Sequence, residues 1–160
     1  MMEKEALFYE KQRFNQWWLW LLLAVIGYFI FQPIYFLISE NEGLSTDQWV
    51  GFVFIALVIL LFVLVKLETK VQEDGIYVRF FPFIPKFKFY PWETISVAVV
   101  RKYSPLMEYG GWGVRWGRNG TAYNVKGNKG LQLKFKNGNA LLIGTQKPDE
   151  LQKILNQLKF

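Results

Sequence analysis

WWLWLLLAVIGYFIFQPIYFLI, residues 17–38, and WVGFVFIALVILLFVLV, residues 49–65, contain no charged side chain. A bilayer core about 30 Å thick asks for roughly 20 apolar residues at 1.5 Å rise. The first run meets that length. The second comes close, with Gln48 and the long stem of Lys66 extending it. Trp17, Trp18, Trp20, Tyr35 and Trp49 stand near the borders, where amphipathic rings prefer to lie. The expectation is a transmembrane helical hairpin over 17–65, with spans 17–38 and 49–65 joined by an outer loop 39–48. Residues 1–16 form a cytoplasmic N-terminal segment in this scheme.

Orientation follows from Lys and Arg near the helix ends. The joint Ser39–Gln48 has none, whereas Lys11 and Arg13 precede the first run and Lys66 and Lys70 follow the second. Both termini are therefore expected in the cytoplasm of a two-pass protein of the inner (cell) membrane. A cleaved leader is excluded by the length of the apolar run and by a head that mixes Glu3, Glu5 and Glu10 with Lys4, Lys11 and Arg13.

From Lys66 onward the period changes from helical to two. Leu67, Thr69 and Val71 alternate with Lys66, Glu68 and Lys70, and Ile76, Val78 and Phe80 alternate with Tyr77 and Arg79. Phe87 and Phe89 alternate with Lys86 and Lys88, and Leu131, Leu133 and Phe135 with Gln132, Lys134 and Lys136. Such alternation marks half-buried antiparallel strands. Asp74-Gly75, Asn119-Gly120 and Asn137-Gly138 stand between runs, and an Asx-Gly pair tolerates the positive φ of a tight hairpin turn. The chain closes with a helix: Pro148 suits a first helical position, Asp149 and Glu150 suit the positive end of the dipole, and Leu151, Ile154, Leu155 and Leu158 share one face. The fold class expected is a membrane α-helical hairpin followed, over 66–160, by an all-β barrel or sandwich of about seven strands capped by a C-terminal helix.

That order of strands and one capping helix resembles the pleckstrin-homology fold. Tyr109-Gly110-Gly111-Trp112-Gly113-Val114-Arg115, Tyr123-Asn124-Val125, Gly127-Asn128-Lys129-Gly130-Leu131 and Ile143-Gly144-Thr145-Gln146-Lys147-Pro148-Asp149-Glu150-Leu151 are similar to bacterial PH-like membrane proteins with an N-terminal two-helix hairpin. The resemblance implies a cytoplasmic PH-like interaction module rather than a reaction. The turn that would hold an inositol phosphate in eukaryotic relatives is here Glu73-Asp74-Gly75, short and acidic.

Residues 66–160 hold 16 basic and 7 acidic side chains, a balance of +9. A basic surplus of this kind points first to anionic phospholipid head groups, and no recognition-helix or aromatic RNA-binding pattern accompanies it, so nucleic acid is not expected. The chain has no Cys and no His, which removes disulfides, thiolate nucleophiles and the commonest general base. The Gly-rich stretch 110–120 matches neither G-x-G-x-x-G nor a P-loop. Glu73 with Asp74, Asp149 with Glu150, and Ser104 near Lys102 are each accounted for by a turn, a helix start or the lack of any oxyanion site. No catalytic residue, metal or cofactor is expected.

Two groups of site residues remain. Lys66, Lys70, Arg79, Lys86 and Lys88 occupy the polar phase of the first three strands after the hairpin and are expected on one lipid-facing sheet face. Tyr28, Gln32, Tyr35 and Ser39 repeat at helical spacing and are expected to mediate association with a second copy or another membrane protein. Pro33 frees the carbonyl of Phe29 and is expected to kink that helix. The function expected is a noncatalytic membrane-anchored scaffold or membrane-organising subunit touching anionic lipid, protein or both. The alternative is a regulatory adaptor that binds a soluble protein, with the membrane only as tether.

Overall fold

The computed structural model describes residues 6–39, 46–117 and 120–158, apart from the side chains of 33, 34, 36–39, 47 and 48. The chain divides into two compact units, Met1–Arg13 with Val65–Phe160, and Phe14–Leu64. A helical hairpin is thus inserted between the first and second strands of a β unit.

The inserted unit holds α1 (Trp17–Ser39) and α2 (Thr46–Leu64). Edge-to-face ring pairs join its parts: Phe31 meets Phe52 at 5.4 Å between centroids and Phe14 meets Phe62 at 5.5 Å. Among the described residues no helix is long and apolar enough to cross a membrane. The two-span transmembrane hairpin, the two-pass inner-membrane location and the cytoplasmic placement of both termini that rested on it are therefore corrected. α1, 23 residues long, carries Gln32 and Pro33 inside its length, and α2, 19 residues long, opens on Thr46-Asp47-Gln48, so each helix has polar positions within its bounds. The outer loop 39–48 falls mostly on residues outside those described.

The β unit contains nine strands in two sheets among the described residues, not a single seven-strand PH-like barrel. Sheet A has the order β1 (Phe8–Arg13), β2 (Lys66–Gln72), β3 (Gly75–Phe81), β4 (Ile84–Pro91), all neighbours antiparallel. Sheet B contains β5 (Ile95–Lys102), β6 (Gly113–Gly117), β7 (Gly120–Asn124), β8 (Lys129–Phe135) and β9 (Ala140–Gly144) in the order β5-β8-β9-β7-β6. Its β7 and β9 run parallel. The tight turn at Asn137-Gly138 places Gly138 at φ 86°, the conformation for which glycine is suited.

The alternating apolar residues of the two sheets supply the core. Leu67, Ile76 and Phe80 of sheet A and Leu131, Leu133 and Ile143 of sheet B are essentially inaccessible. The C-terminal α4 (Pro148–Gln157) adds Leu151 and Leu155, both buried, and touches β1, β5 and β8. On the other side of sheet B the five-residue α3 (Pro105–Tyr109) covers a smaller core of Tyr103, Tyr109, Ala122 and Leu142. Ser104 caps α3 by accepting from Met107 N, and the Glu108 carboxylate accepts from Ser104 N at 2.8 Å. The Ser104 hydroxyl is thereby a helix cap.

β1 carries no apolar alternation, because its inward residues are Phe8, Glu10 and Gln12. The last two are buried and tied across to sheet B. Gln12 Nε2 donates to the Gly144 carbonyl at 2.7 Å, while the Glu10 carboxylate accepts from Thr145 Oγ1 and Gln146 N, each at 2.7 Å. Buried polar groups are tolerable only when so partnered. Burial nevertheless outweighs those two bonds and pushes the Glu10 carboxyl above the ordinary range.

Candidate functional site: a basic and aromatic sheet face

Directly opposed residues in an antiparallel sheet share a face, so the register of sheet A fixes its outer surface row by row. Arg13 lies opposite Lys66, and Lys66 opposite Phe81. In the next row Lys11 lies opposite Glu68, and Glu68 opposite Arg79. In the third, Tyr9, Lys70, Tyr77 and Phe89 follow one another across all four strands. Among the described residues five cations, Arg13, Lys66, Lys11, Arg79 and Lys70, and a set of aromatic rings therefore share the face that holds the Glu68 carboxylate. A depression of about 370 Å³ lies on this face, walled by Tyr9, Lys11, Lys66, Lys70, Arg79 and Phe87 around Glu68.

The cations are held by rings as well as by charge. Lys70 Nζ lies 5.8 Å from the Tyr9 centroid and 5.2 Å from that of Phe87, the Arg79 guanidinium sits 4.6 Å over Phe87, and Lys66 lies 5.2 Å from Phe81. Such cation–π contacts at accessible sites are worth about 0.5–1 kcal/mol each. Glu68, only 4% exposed, takes a forked pair from Arg79, with Nε at 3.1 Å, and a longer contact from Lys11 at 3.8 Å. The Tyr9 phenol is pushed up, first by burial and then by the Glu68 charge. Tyr77 stacks on Phe89 with centroids 4.5 Å apart and donates to Asp74 Oδ2 at 3.0 Å, so the ring row is rigid at its far end too.

Of the residues expected on this face, the structure brings Lys66, Lys70 and Arg79 together and separates the other two. The β3–β4 pairing shifts register between Val78 and Phe80, leaving Lys86 exposed within the irregular stretch. Lys88 stands opposite the buried Val78, hence on the inner side, while Phe89 stands opposite Tyr77 on the outer side. The bulge reverses the phase that simple alternation gives. Lys11, Arg13, Tyr9 and Glu68 were not anticipated as members of the face. The first three lie on β1, whose polar inward residues hide its strand character.

Of the association candidates, Tyr28, Gln32 and Tyr35 are exposed on α1, with Tyr28 62% and Tyr35 78% accessible. Ser39 ends the helix, and the surroundings of its side chain lie outside those described. The Gly-rich stretch resolves into the end of α3 and the β6–β7 pair: Gly110 caps α3 at φ 70°, and Gly117 faces Gly120 across the two strands. Residues 118 and 119 lie outside the description.

Comparison with protein-family models, curated proteins and solved structures finds no match, and none identifies a pleckstrin-homology relative.

Proposed function

We propose that the protein is a noncatalytic scaffold whose β unit docks against an anionic surface, phospholipid head groups being the partner, through the outer face of sheet A. The observation that carries this reading is the gathering of Lys11, Arg13, Lys66, Lys70 and Arg79 on the sheet face that holds Glu68, four more positive than negative charges among these six described residues on a ring-supported surface. Docking of this kind requires contact with a surface and no membrane-crossing segment. Each Lys or Arg near an anionic leaflet contributes about 1 kcal/mol, and the attraction decays within a Debye length of about 8 Å at physiological salt. The helical unit, with Trp17, Tyr28, Phe29 and Phe54 well exposed, is in this account the association element, covered by a second copy of the chain or another protein.

The test uses the full chain. It is expected to bind phosphatidylglycerol-containing vesicles with affinity that falls as salt rises, and to ignore phosphatidylcholine vesicles. Lys66→Glu with Lys70→Glu is expected to weaken binding by at least roughly thirtyfold, from about 2 kcal/mol for the two lost cations alone, with the circular dichroism spectrum of the folded chain retained. Salt-independent binding, or a double variant that binds as the parent does, would favour the adaptor reading, in which the partner is a soluble protein.

A further inference from the structure

The depression on the outer face of sheet A gathers charge more closely than the face around it. Among the described residues four cations line it, Lys11, Lys66, Lys70 and Arg79, against one carboxylate, Glu68, which leaves an excess of three positive charges. Arg13 lies on the same face but outside the depression. A volume of about 370 Å³ falls at the small end of ordinary ligand pockets, roughly 300–1,000 Å³. That suits a phosphate with the few carbons next to it.

These side chains belong to one side of the sheet. Tyr9 stands opposite Lys70, Lys11 opposite Glu68 and Glu68 opposite Arg79, while Lys66 shares their side two positions from Glu68. Phe87 on β4 joins them by contact: Lys70 Nζ and the Arg79 guanidinium lie 5.2 and 4.6 Å from its ring centroid, so one ring draws two charges together. Glu68 is the floor. Its carboxylate, 4% exposed, receives the Arg79 fork and the longer Lys11 contact, and is already neutralised within the wall. A flat basic face responds to surface charge alone. A recess that converges several cations on one point distinguishes head groups by the charge on a single phosphate. A phosphomonoester carries about −1.5 to −2 at pH 7 and offers three acceptor oxygens, whereas a phosphodiester is a monoanion with one of those oxygens capped.

We propose that this depression is a head-group subsite for a phosphomonoester lipid, the phosphate held among Lys11, Lys66, Lys70 and Arg79 and its glycerol carbons lying against Tyr9 and Phe87. The assignment rests on the docking reading of the same face and adds to it a choice among anionic lipids. Arg13, outside the recess, contributes to docking and not to that choice.

The experiment is co-sedimentation of the full chain with phosphatidylcholine vesicles carrying either phosphatidate or phosphatidylglycerol, the two anionic lipids adjusted to equal zeta potential at neutral pH. Phosphatidate vesicles are expected to bind roughly fivefold more tightly, the ratio for about one further charge neutralised. Phe87→Leu and, separately, Tyr9→Leu keep every charge of the face. Each should bring the two affinities to within about twofold of one another and leave phosphatidylglycerol binding within about twofold of the parent, with the circular dichroism spectrum retained. Arg13→Gln should weaken binding to both vesicles equally. Titration calorimetry with glycerol 3-phosphate alone should give a Kd in the millimolar range or weaker; micromolar binding would assign the recess to a soluble phosphomonoester and overturn the lipid assignment. Equal binding to the two vesicles at matched potential, or a phosphatidate preference retained in both ring variants, would overturn the subsite and leave the docking face standing. Binding to neither vesicle would overturn both.

Discussion

Replacing Glu68 by Gln is expected to move stability and surface binding in opposite directions. The Glu68 side chain is 4% exposed and neutralises Arg79 and Lys11, which are themselves 31% and 38% exposed. A fully buried pair broken on one side costs about 3–5 kcal/mol because a charge is stranded. Here the surviving cations reach solvent and Arg79 keeps its place over Phe87, so the loss is reduced to about 1.5–3 kcal/mol, the range of hydrogen bonds to charged groups. The same change raises the net charge of the face by one. At about 1 kcal/mol per charge near an anionic surface, affinity for phosphatidylglycerol vesicles should rise by roughly fivefold. Urea denaturation and vesicle co-sedimentation at fixed salt, on the same preparation, give both quantities. Unchanged stability would refute the role of Glu68 as the buried counter-charge. Weaker vesicle binding by a stably folded Glu68→Gln protein would refute the docking face itself.

Burial holds the Glu10 carboxyl above its ordinary value near 4.5, so protonation of this group favours the folded state. Stability contributed by this group is then greatest below that value and is lost as pH rises through the folded pKa, and the stability of the parent relative to Glu10→Gln should be larger at acid pH than at neutral pH in paired urea titrations. Gly120→Ala should lower the unfolding midpoint in urea by the equivalent of about 2 kcal/mol or more, because Gly120 sits at φ 98° and a Cβ there collides with the Ala140 carbonyl oxygen. Gln32→Leu, at an exposed position of α1, should weaken self-association measured by analytical ultracentrifugation while leaving the circular dichroism spectrum intact; unchanged association would place the contact on another face.

What could be read from the sequence was local, and what escaped it was set by pairing. The period-two runs around Leu67, Ile76 and Leu131 do mark strands, and Asn137-Gly138 does mark a turn, because those signals depend only on neighbouring residues. The strand Phe8–Arg13 escaped because its inward positions are Phe, Glu and Gln, whose burial is made acceptable by Gly144, Thr145 and Gln146 more than 130 residues away. The phase of Lys86 and Lys88 escaped because a register shift opposite Arg79 is a property of two strands, not of one. The apolar runs do form the helices α1 and α2, but among the described residues neither is long and apolar enough to cross a membrane. Lys66, Lys70 and Arg79 were recognisable by charge. Their supporting rings and the Glu68 counter-charge became visible only with the β1–β2–β3 register.

The chain has no cysteine, so a single introduced one carries a label without ambiguity. Phe89→Cys lies in the row with Tyr9, Lys70 and Tyr77 on the outer face of sheet A, and Lys153→Cys lies on α4. With a bimane on each in turn, quenching by nitroxide-bearing lipid in phosphatidylglycerol vesicles measures which side of the β unit meets the surface. The docking account predicts strong quenching at position 89 that disappears at high salt and little quenching at 153. Equal quenching at both positions, or stronger quenching at 153, would contradict it.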